Sequence, residues 1–290
     1  MDPRPIRNPQ SAIHNPALSR RDWLKTTAAT AALLAAGQKT FGEEAKKKIP
    51  VGLQLYSVRE VAPKDVAGTF KAIKEMGYEG VEFAGYYKPA ADLRKLLDDN
   101  GLKCCGTHTG LNTLLGNELK KTIEFNKTIG NRYLIVPGMG ADRLGTKEKC
   151  IETAKLFTEL AEKLKPEGMV TGYHAHGADF KKLDDTTPWE VLFSNAGPDV
   201  VMQMDTGNCM GGGGDPVALL KKFPGRALSV HLKEHGGGVI GEGKVAWKDV
   251  FELCETTGKT EWYIVEEEGG GQKALEVVKR ALDNLRKMGK

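Results

Sequence analysis

Nine ionisable or amide residues stand at or near the ends of short apolar runs: Gln54, Glu82, His108, His174, His176, Asp205, His231, Lys233 and Glu266. A strand packed inside a protein is expected to be apolar, so polar residues repeated at equivalent places in successive runs point to chemistry. His174 and His176 are two residues apart, as are His231 and Lys233. On a strand this spacing puts both members of a pair on one face. With those faces turned inward, one mouth would collect imidazole nitrogens, carboxylate oxygens and an ammonium group. That donor set suits one divalent ion, Mn, Co, Zn or Mg, in preference to a metal that seeks thiolates. No pair is a strong motif by itself; the repetition carries the signal. His108 also reads as a hydrogen-bonded structural group, Asp205 as a cap before Thr206-Gly207, and Glu82 as an ion-pair partner across a barrel. Glu267 and Glu268 read as solvated or substrate-rim residues.

The elements that must position these residues alternate in type. Residues 50–56, 81–83, 102–107, 133–136, 169–174, 200–204, 227–232 and 262–266 read as strands. Helical stretches follow each of them: 66–77, 91–99, 118–129, 147–164, 188–195, 216–222, 247–256 and 273–288. The first has Val66, Phe70, Ile73 and Met76 at three- and four-residue spacing and closes at Gly77. Eight such units in about 240 residues imply an α/β fold, a (β/α)8 TIM barrel with its site at the C-terminal ends of the strands. An open doubly wound sheet would want a glycine-rich fingerprint after its first strand, where Tyr56-Ser57-Val58-Arg59 stands instead.

Composition excludes several classes. The 290 residues are 40% hydrophobic and 28% charged, ordinary for a globular chain and not for a disordered one. No apolar run reaches about 18 residues, so no membrane span is expected in the mature chain. Of 42 basic and 38 acidic residues, 36 and 34 lie beyond residue 45. That near-neutral balance argues against a nucleic-acid partner and fits a small, uncharged substrate better than a polyanion. The five cysteines form no C-x-x-C pair and read as free or buried thiols. His235-Gly236-Gly237-Gly238 looks like a lipase oxyanion motif, but the chain has no G-x-S-x-G to supply a nucleophile. Gly211 to Gly214 reads as a mobile active-site loop, since no phosphate-binding G-x-x-x-x-G-K-[ST] is present.

Ser19-Arg20-Arg21-Asp22-Trp23-Leu24-Lys25 resembles the twin-arginine export signal, with Trp23 where phenylalanine is usual. A weakly apolar stretch rich in alanine and threonine follows, from Thr26 to Ala36. The resemblance implies export of a folded protein to the periplasm or another extracytoplasmic space. Residues 1–45 are therefore set apart as signal and linker, and 46–290 as the barrel.

The barrel itself resembles the xylose-isomerase-like superfamily, and within it the sugar phosphate isomerase/epimerase branch. The matching pieces are Gly52-Leu53-Gln54-Leu55-Tyr56-Ser57-Val58-Arg59, Gly77-Tyr78-Glu79-Gly80-Val81-Glu82-Phe83-Ala84-Gly85-Tyr86-Tyr87 and Gly172-Tyr173-His174-Ala175-His176. They continue with Asp205-Thr206-Gly207-Asn208, Val230-His231-Leu232-Lys233-Glu234, Gly241-Glu242-Gly243 and Trp262-Tyr263-Ile264-Val265-Glu266. The resemblance implies a divalent metal held by Asp205, His231 and Glu266, with a fourth ligand from strand five. Many members have a glutamate there; this chain has His174, with His176 two residues on. Family epimerases use the strand-five and strand-eight glutamates as an acid/base pair, so the two-glutamate mechanism does not carry over unchanged. Branch members often show Tyr-His-Asn-His at this point. Lys233-Glu234 replaces the usual Lys-Asp.

The implied activity is isomerisation or epimerisation of a sugar by proton transfer beside a carbonyl, through an enediolate whose charge the divalent ion stabilises. In this reading Glu266 is a metal ligand at the edge of the chemistry. Glu82 or a strand-five histidine, His176, is the second proton-transfer group. Gln54, His108 and Lys233 bind substrate hydroxyls or developing charge. The same first step followed by elimination would make a lyase acting on keto-sugars or oxidised glycosides. A sugar-binding barrel without catalysis is the remaining alternative, and retention of Asp205, His231 and Glu266 argues against it. A DNA-repair endonuclease of the same superfamily would need more ligands and a basic face. Oligomeric state is left open, a homo-oligomer included.

Overall fold

The computed structural model describes residues 48–290; the expected export signal lies outside them. Eight strands close a parallel barrel in sequence order: β1 (Val51–Gln54), β2 (Gly80–Phe83), β3 (Lys103–His108), β4 (Tyr133–Val136), β5 (Val170–His174), β6 (Val201–Asp205), β7 (Ser229–Leu232) and β8 (Trp262–Val265). The outer layer is α1 (Val66–Met76), α2 (Ala90–Asn100), α3 (Glu118–Thr128), α4 (Lys147–Leu164), α5 (Pro188–Asn195), α6 (Thr206–Gly212), α7 (Pro216–Lys222), α8 (Trp247–Thr256) and α9 (Ala274–Lys287). Local chemistry sets their ends. Asp65 caps α1 by accepting the Gly68 N–H at 2.8 Å, and Gly77 ends it with φ 102°, a conformation that glycine adopts without steric cost. On α9, Val278, Ala281, Leu282 and Leu285 are buried at helical spacing. Among the described residues, no helix is long and apolar enough to cross a membrane.

Alternation along the strands produces two separate apolar clusters. Outward-facing Leu134, Val136, Tyr173, Met202, Met204, Val230, Leu232, Tyr263 and Val265 join the large core under the helices. Inward-facing Cys105, Tyr133, Ile135, Val201, Trp262 and Ile264 form a smaller plug inside the barrel. Toward the C-terminal end of most strands the inward set turns polar, two residues at a time: Val201 gives way to Gln203 and Asp205, and Ile264 to Glu266, while β4 stays apolar through Ile135. All of these polar residues are buried. The barrel is thus apolar at its base and ionic at its mouth, the end at which barrels of this kind carry their sites.

Two expectations need correction. Strand one stops at Gln54 and not at residue 56, because the Gln54 side chain accepts the Tyr56 N–H at 3.0 Å and starts a 3-10 turn, Leu55–Val58. Gly211 and Gly212 are not loop but the last turn of α6, which Gly213 ends at φ 96°. A Cβ on Gly212 would come within 2.3 Å of the Gly177 carbonyl oxygen, so this glycine serves close packing. All five cysteines are free and buried, as expected.

One glycine ties the barrel wall to the mouth. The β2–β3 register shifts between Val81 and Glu82, which brings Gly106 opposite Glu82. A Cβ on Gly106 would lie 2.3 Å from Glu82 Oε1 and 3.1 Å from its Cγ. Gly106→Ala is expected to destabilise the protein by about 1–3 kcal/mol through overpacking against a pinned carboxylate. Urea denaturation monitored by circular dichroism checks this; an unchanged midpoint would mean that Glu82 has room to move.

Candidate metal centre and active site

A continuous hydrogen-bond network fills the mouth. Glu82, fully buried on β2, is its hub. Its Oε2 accepts from Gln54 Nε2 at 2.8 Å and from His231 Nε2 at 2.5 Å. Its Oε1 accepts from Gln203 Nε2 at 2.9 Å. On the far side of the ring, His231 Nδ1 lies 2.6 Å from Glu266 Oε2. With a carboxylate on each nitrogen, both nitrogens donate and the ring is an imidazolium. Burial alone would lower its pKa, but Glu82 and Glu266 override it and push it up to about 10. The carboxylates respond in kind. Burial would raise Glu82, yet His108 and His231 hold it well below the carboxylate range. Burial would raise Glu266 too, and His231 and Lys233 hold it low.

Asp205 differs. Its Oδ1 accepts the Asn208 N–H at 2.7 Å, capping α6. Its Oδ2 is buried with no hydrogen-bond partner. Burial, opposed by the Lys233 charge and reinforced by Glu266, pushes Asp205 up to about 7. An unpartnered buried carboxylate oxygen is costly unless a cation meets it. Beside it, His174, Asp205, His231 and Glu266 each offer one ligand atom, all within 4.8 Å of one another. Two imidazoles and two carboxylates fit a divalent ion of the zinc or manganese type. His174 suits this role, since burial and the neighbouring His231 imidazolium hold its pKa well below normal and keep the ring neutral. Lys233 closes the rim, its Nζ 3.9 Å from Asp205 Oδ2, 3.5 Å from Glu266 Oε1 and bonded to Glu268.

Residues 70–288 match the family described as xylose isomerase-like TIM barrel. The chain belongs to that family. It is similar to an inosose dehydratase of Lacticaseibacillus casei, 25% identical over 250 residues, 70% of this chain and 83% of the relative. Among solved structures, a sugar phosphate isomerase/epimerase of Parabacteroides distasonis superposes with a TM-score of 0.71 at 25% identity, covering 83% of this chain and 98% of that one. The IOLI protein, solved with a bound zinc atom, shares the fold with a TM-score of 0.63 at 14% identity, covering 82% of this chain and 98% of that one.

The barrel brings eight of the nine residues read from the sequence into the network or its rim. His176 is set apart. It follows β5 at the head of a 3-10 turn, Gly177–Phe180, and is exposed, its ring centroid 4.9 Å from that of His174. Its backbone N–H donates to Asp179 Oδ2 at 2.7 Å, which fixes the turn. Gln54 and His108, expected to bind substrate, both make hydrogen bonds within the network. Gln54 uses both ends of its amide on Tyr56 N and Glu82. His108 Nε2 lies 3.1 Å from Gln203 Oε1 and 3.2 Å from Glu82 Oε2, with Nδ1 toward Gln54. Glu267 is not at the solvated rim: it is buried, accepts the Ile240 N–H at 3.2 Å and is pushed up to about 7 by burial. Glu268 does lie at the rim, on Lys233.

Three participants escape the sequence reading. Gln203 and Ser229 lie two residues before Asp205 and His231, so the same period-two spacing points to them. Glu234 gathers the β7–α8 loop: its carboxylate accepts the N–H groups of His235 at 2.9 Å, Val245 at 3.1 Å and Gly241 at 2.8 Å, and Trp247 Nε1 at 2.9 Å.

A cation entering this set must displace the proton from His231 and, below neutrality, from Asp205. Metal affinity is therefore expected to rise with pH, by about tenfold per unit above pH 7 and about a hundredfold per unit below it. Calorimetric titration with Zn or Mn at several pH values measures the slope. A dissociation constant independent of pH between 6 and 9 would show that no protein proton is displaced.

Proposed function

We propose that the protein is a divalent-metal-dependent enzyme that moves a proton beside the carbonyl of a small carbohydrate, as a sugar isomerase or epimerase. The observation that carries the reading is the convergence of His174, Asp205, His231 and Glu266 around the unpartnered Asp205 Oδ2. A divalent ion held there would polarise the carbonyl and stabilise the negative charge that develops on its oxygen. The chain's own residues do the rest. Glu266 is ionised and lies at the mouth, 5% exposed, where a carboxylate takes a proton from the carbon beside a carbonyl. His176 is the proposed second proton-transfer group. Its pKa is lowered, chiefly by partial desolvation of the ring, so at neutral pH it is a base, and it is exposed just beyond the end of β5, beside His174. Lys233 is held charged by Asp205, Glu266 and Glu268 in spite of its burial, and is placed to neutralise an oxyanion or bind a hydroxyl. Glu82 is not assigned a proton-transfer role: both its oxygens are occupied and it has no exposure. Its work is to hold His231.

A second reading is dehydration or lysis after the same proton abstraction. It is favoured by His174 standing where family epimerases have a second glutamate, and by similarity to an inosose dehydratase. A panel of keto-sugars and keto-polyols with added metal separates the two, since isomerisation conserves mass and elimination loses water or an aglycone. For localisation we propose twin-arginine export, on Ser19–Lys25.

His176→Gln is expected to lower kcat by about 10²- to 10⁴-fold while metal content and thermal stability stay at wild-type values. Full activity in that variant would remove His176 from the chemistry. Glu266→Gln is expected to abolish turnover and weaken metal binding together. Replacing Arg20-Arg21 by Lys-Lys should leave the protein in the cytoplasmic fraction; unchanged export on cell fractionation would contradict the signal.

A further inference from the structure

Gln203 sits fully buried at the centre of the network, and its amide has four partners. Nε2 lies 2.9 Å from Glu82 Oε1 and 2.9 Å from Ser229 Oγ. Oε1 lies 3.0 Å from His174 Nδ1 and 3.1 Å from His108 Nε2. The direction of these bonds follows from chemistry. Glu82 is ringed by donors, Gln54 Nε2 at 2.8 Å and His231 Nε2 at 2.5 Å, so it accepts. The end of Gln203 that faces it is therefore the NH2 group, whose second proton reaches Ser229. The carbonyl end is left to the two histidines, and a carbonyl oxygen only accepts. Both His174 Nδ1 and His108 Nε2 must then carry a proton.

We infer that Gln203 is a positioning residue that fixes the tautomer of His174, protonated on Nδ1, and so presents the lone pair of His174 Nε2 to the metal site. An imidazole ligand is neutral, and the hydrogen bond made by one ring nitrogen decides which nitrogen is free to coordinate. Through Gln203, the charge of Glu82 on β2 selects the ligating atom on β5, across the barrel. Gln203 and His174 are register partners on adjacent strands, so the backbone ladder itself sets their separation. The inference rests on the reading of His174 as a ligand, but its test needs no turnover.

The test is a long-range ¹H–¹⁵N correlation spectrum of the metal-free, ¹⁵N-labelled full chain, with His174 assigned by its disappearance in His174→Gln. The expected pattern is a single tautomer with Nδ1 protonated. A protonated Nε2 with a bare Nδ1 would overturn the inference even if the protein proves to be an active metalloenzyme. The Nδ1–H pattern in a protein that binds no metal would keep the role of Gln203 while removing the proposed function. In Gln203→Met, which keeps the volume and removes both ends of the amide, His174 is expected to give a mixture of tautomers. Metal affinity should fall by about 10- to 100-fold. An unaltered tautomer and affinity in a folded Gln203→Met would also overturn it. Should that variant fail to fold, the wild-type spectrum decides alone.

Discussion

Three carboxylates buried at one end of a closed barrel are the constraint on which the rest of the site depends. Glu82, Asp205 and Glu266 are each no more than 5% exposed. Removing an ionised carboxylate from water costs several kcal/mol even after relaxation, unless charge and hydrogen bonds replace the lost hydration. Lys233 supplies one positive charge; its other partner, Glu268, is half exposed and screened by solvent. Two negative charges remain. Without metal the protein meets them with protons, one making His231 an imidazolium between Glu82 and Glu266, the other shared by Asp205 near neutrality. A single divalent ion would cancel the same two charges while His231 and Asp205 give up their protons. The charge balance, the orphaned Asp205 oxygen and the donor types all support the proposed cation site.

The architecture makes this arrangement tolerable. Ionic residues project inward only from the upper turns of the strands, over a plug that includes Ile135, Val201, Trp262 and Ile264. The plug fills the base of the barrel with apolar side chains. The low dielectric above it strengthens each ion pair, which is also what a proton-transfer site requires. Groups that reach solvent, His176 and Lys233, lie just beyond the strand ends.

Much of this is legible in the amino-acid sequence alone. The eightfold alternation of elements implies the barrel, strand-end position marks nine polar residues alike, and it is the resemblance to the xylose-isomerase-like superfamily that singles out His174, Asp205, His231 and Glu266 as candidate ligands. The period-two rule places residues on a face but not at a distance, and that explains the remainder. Glu82, Gln54 and His108 read as reactive or substrate-binding because strand ends look alike in sequence. Only closure of the barrel, which sets Glu82 149 residues from His231 in sequence and 2.5 Å away in space, shows that they pair with one another. Gln203 escapes notice because period-two spacing puts it on the inward face with Asp205 but does not say which groups it meets there. Glu267 follows Glu266 in a run of three glutamates, and its burial depends on the loop that brings Ile240 to it.

The central claim is that the mouth of the barrel is built for one divalent cation. Elemental mass spectrometry of the mature protein, purified without chelator beside Asp205→Ala, tests it most directly. The account predicts about one divalent ion per chain in the wild type and its loss in the variant. No bound metal in the wild type, and none taken up on titration with Mn, Co, Zn or Mg, would contradict it and leave the barrel as a sugar-binding fold without this chemistry.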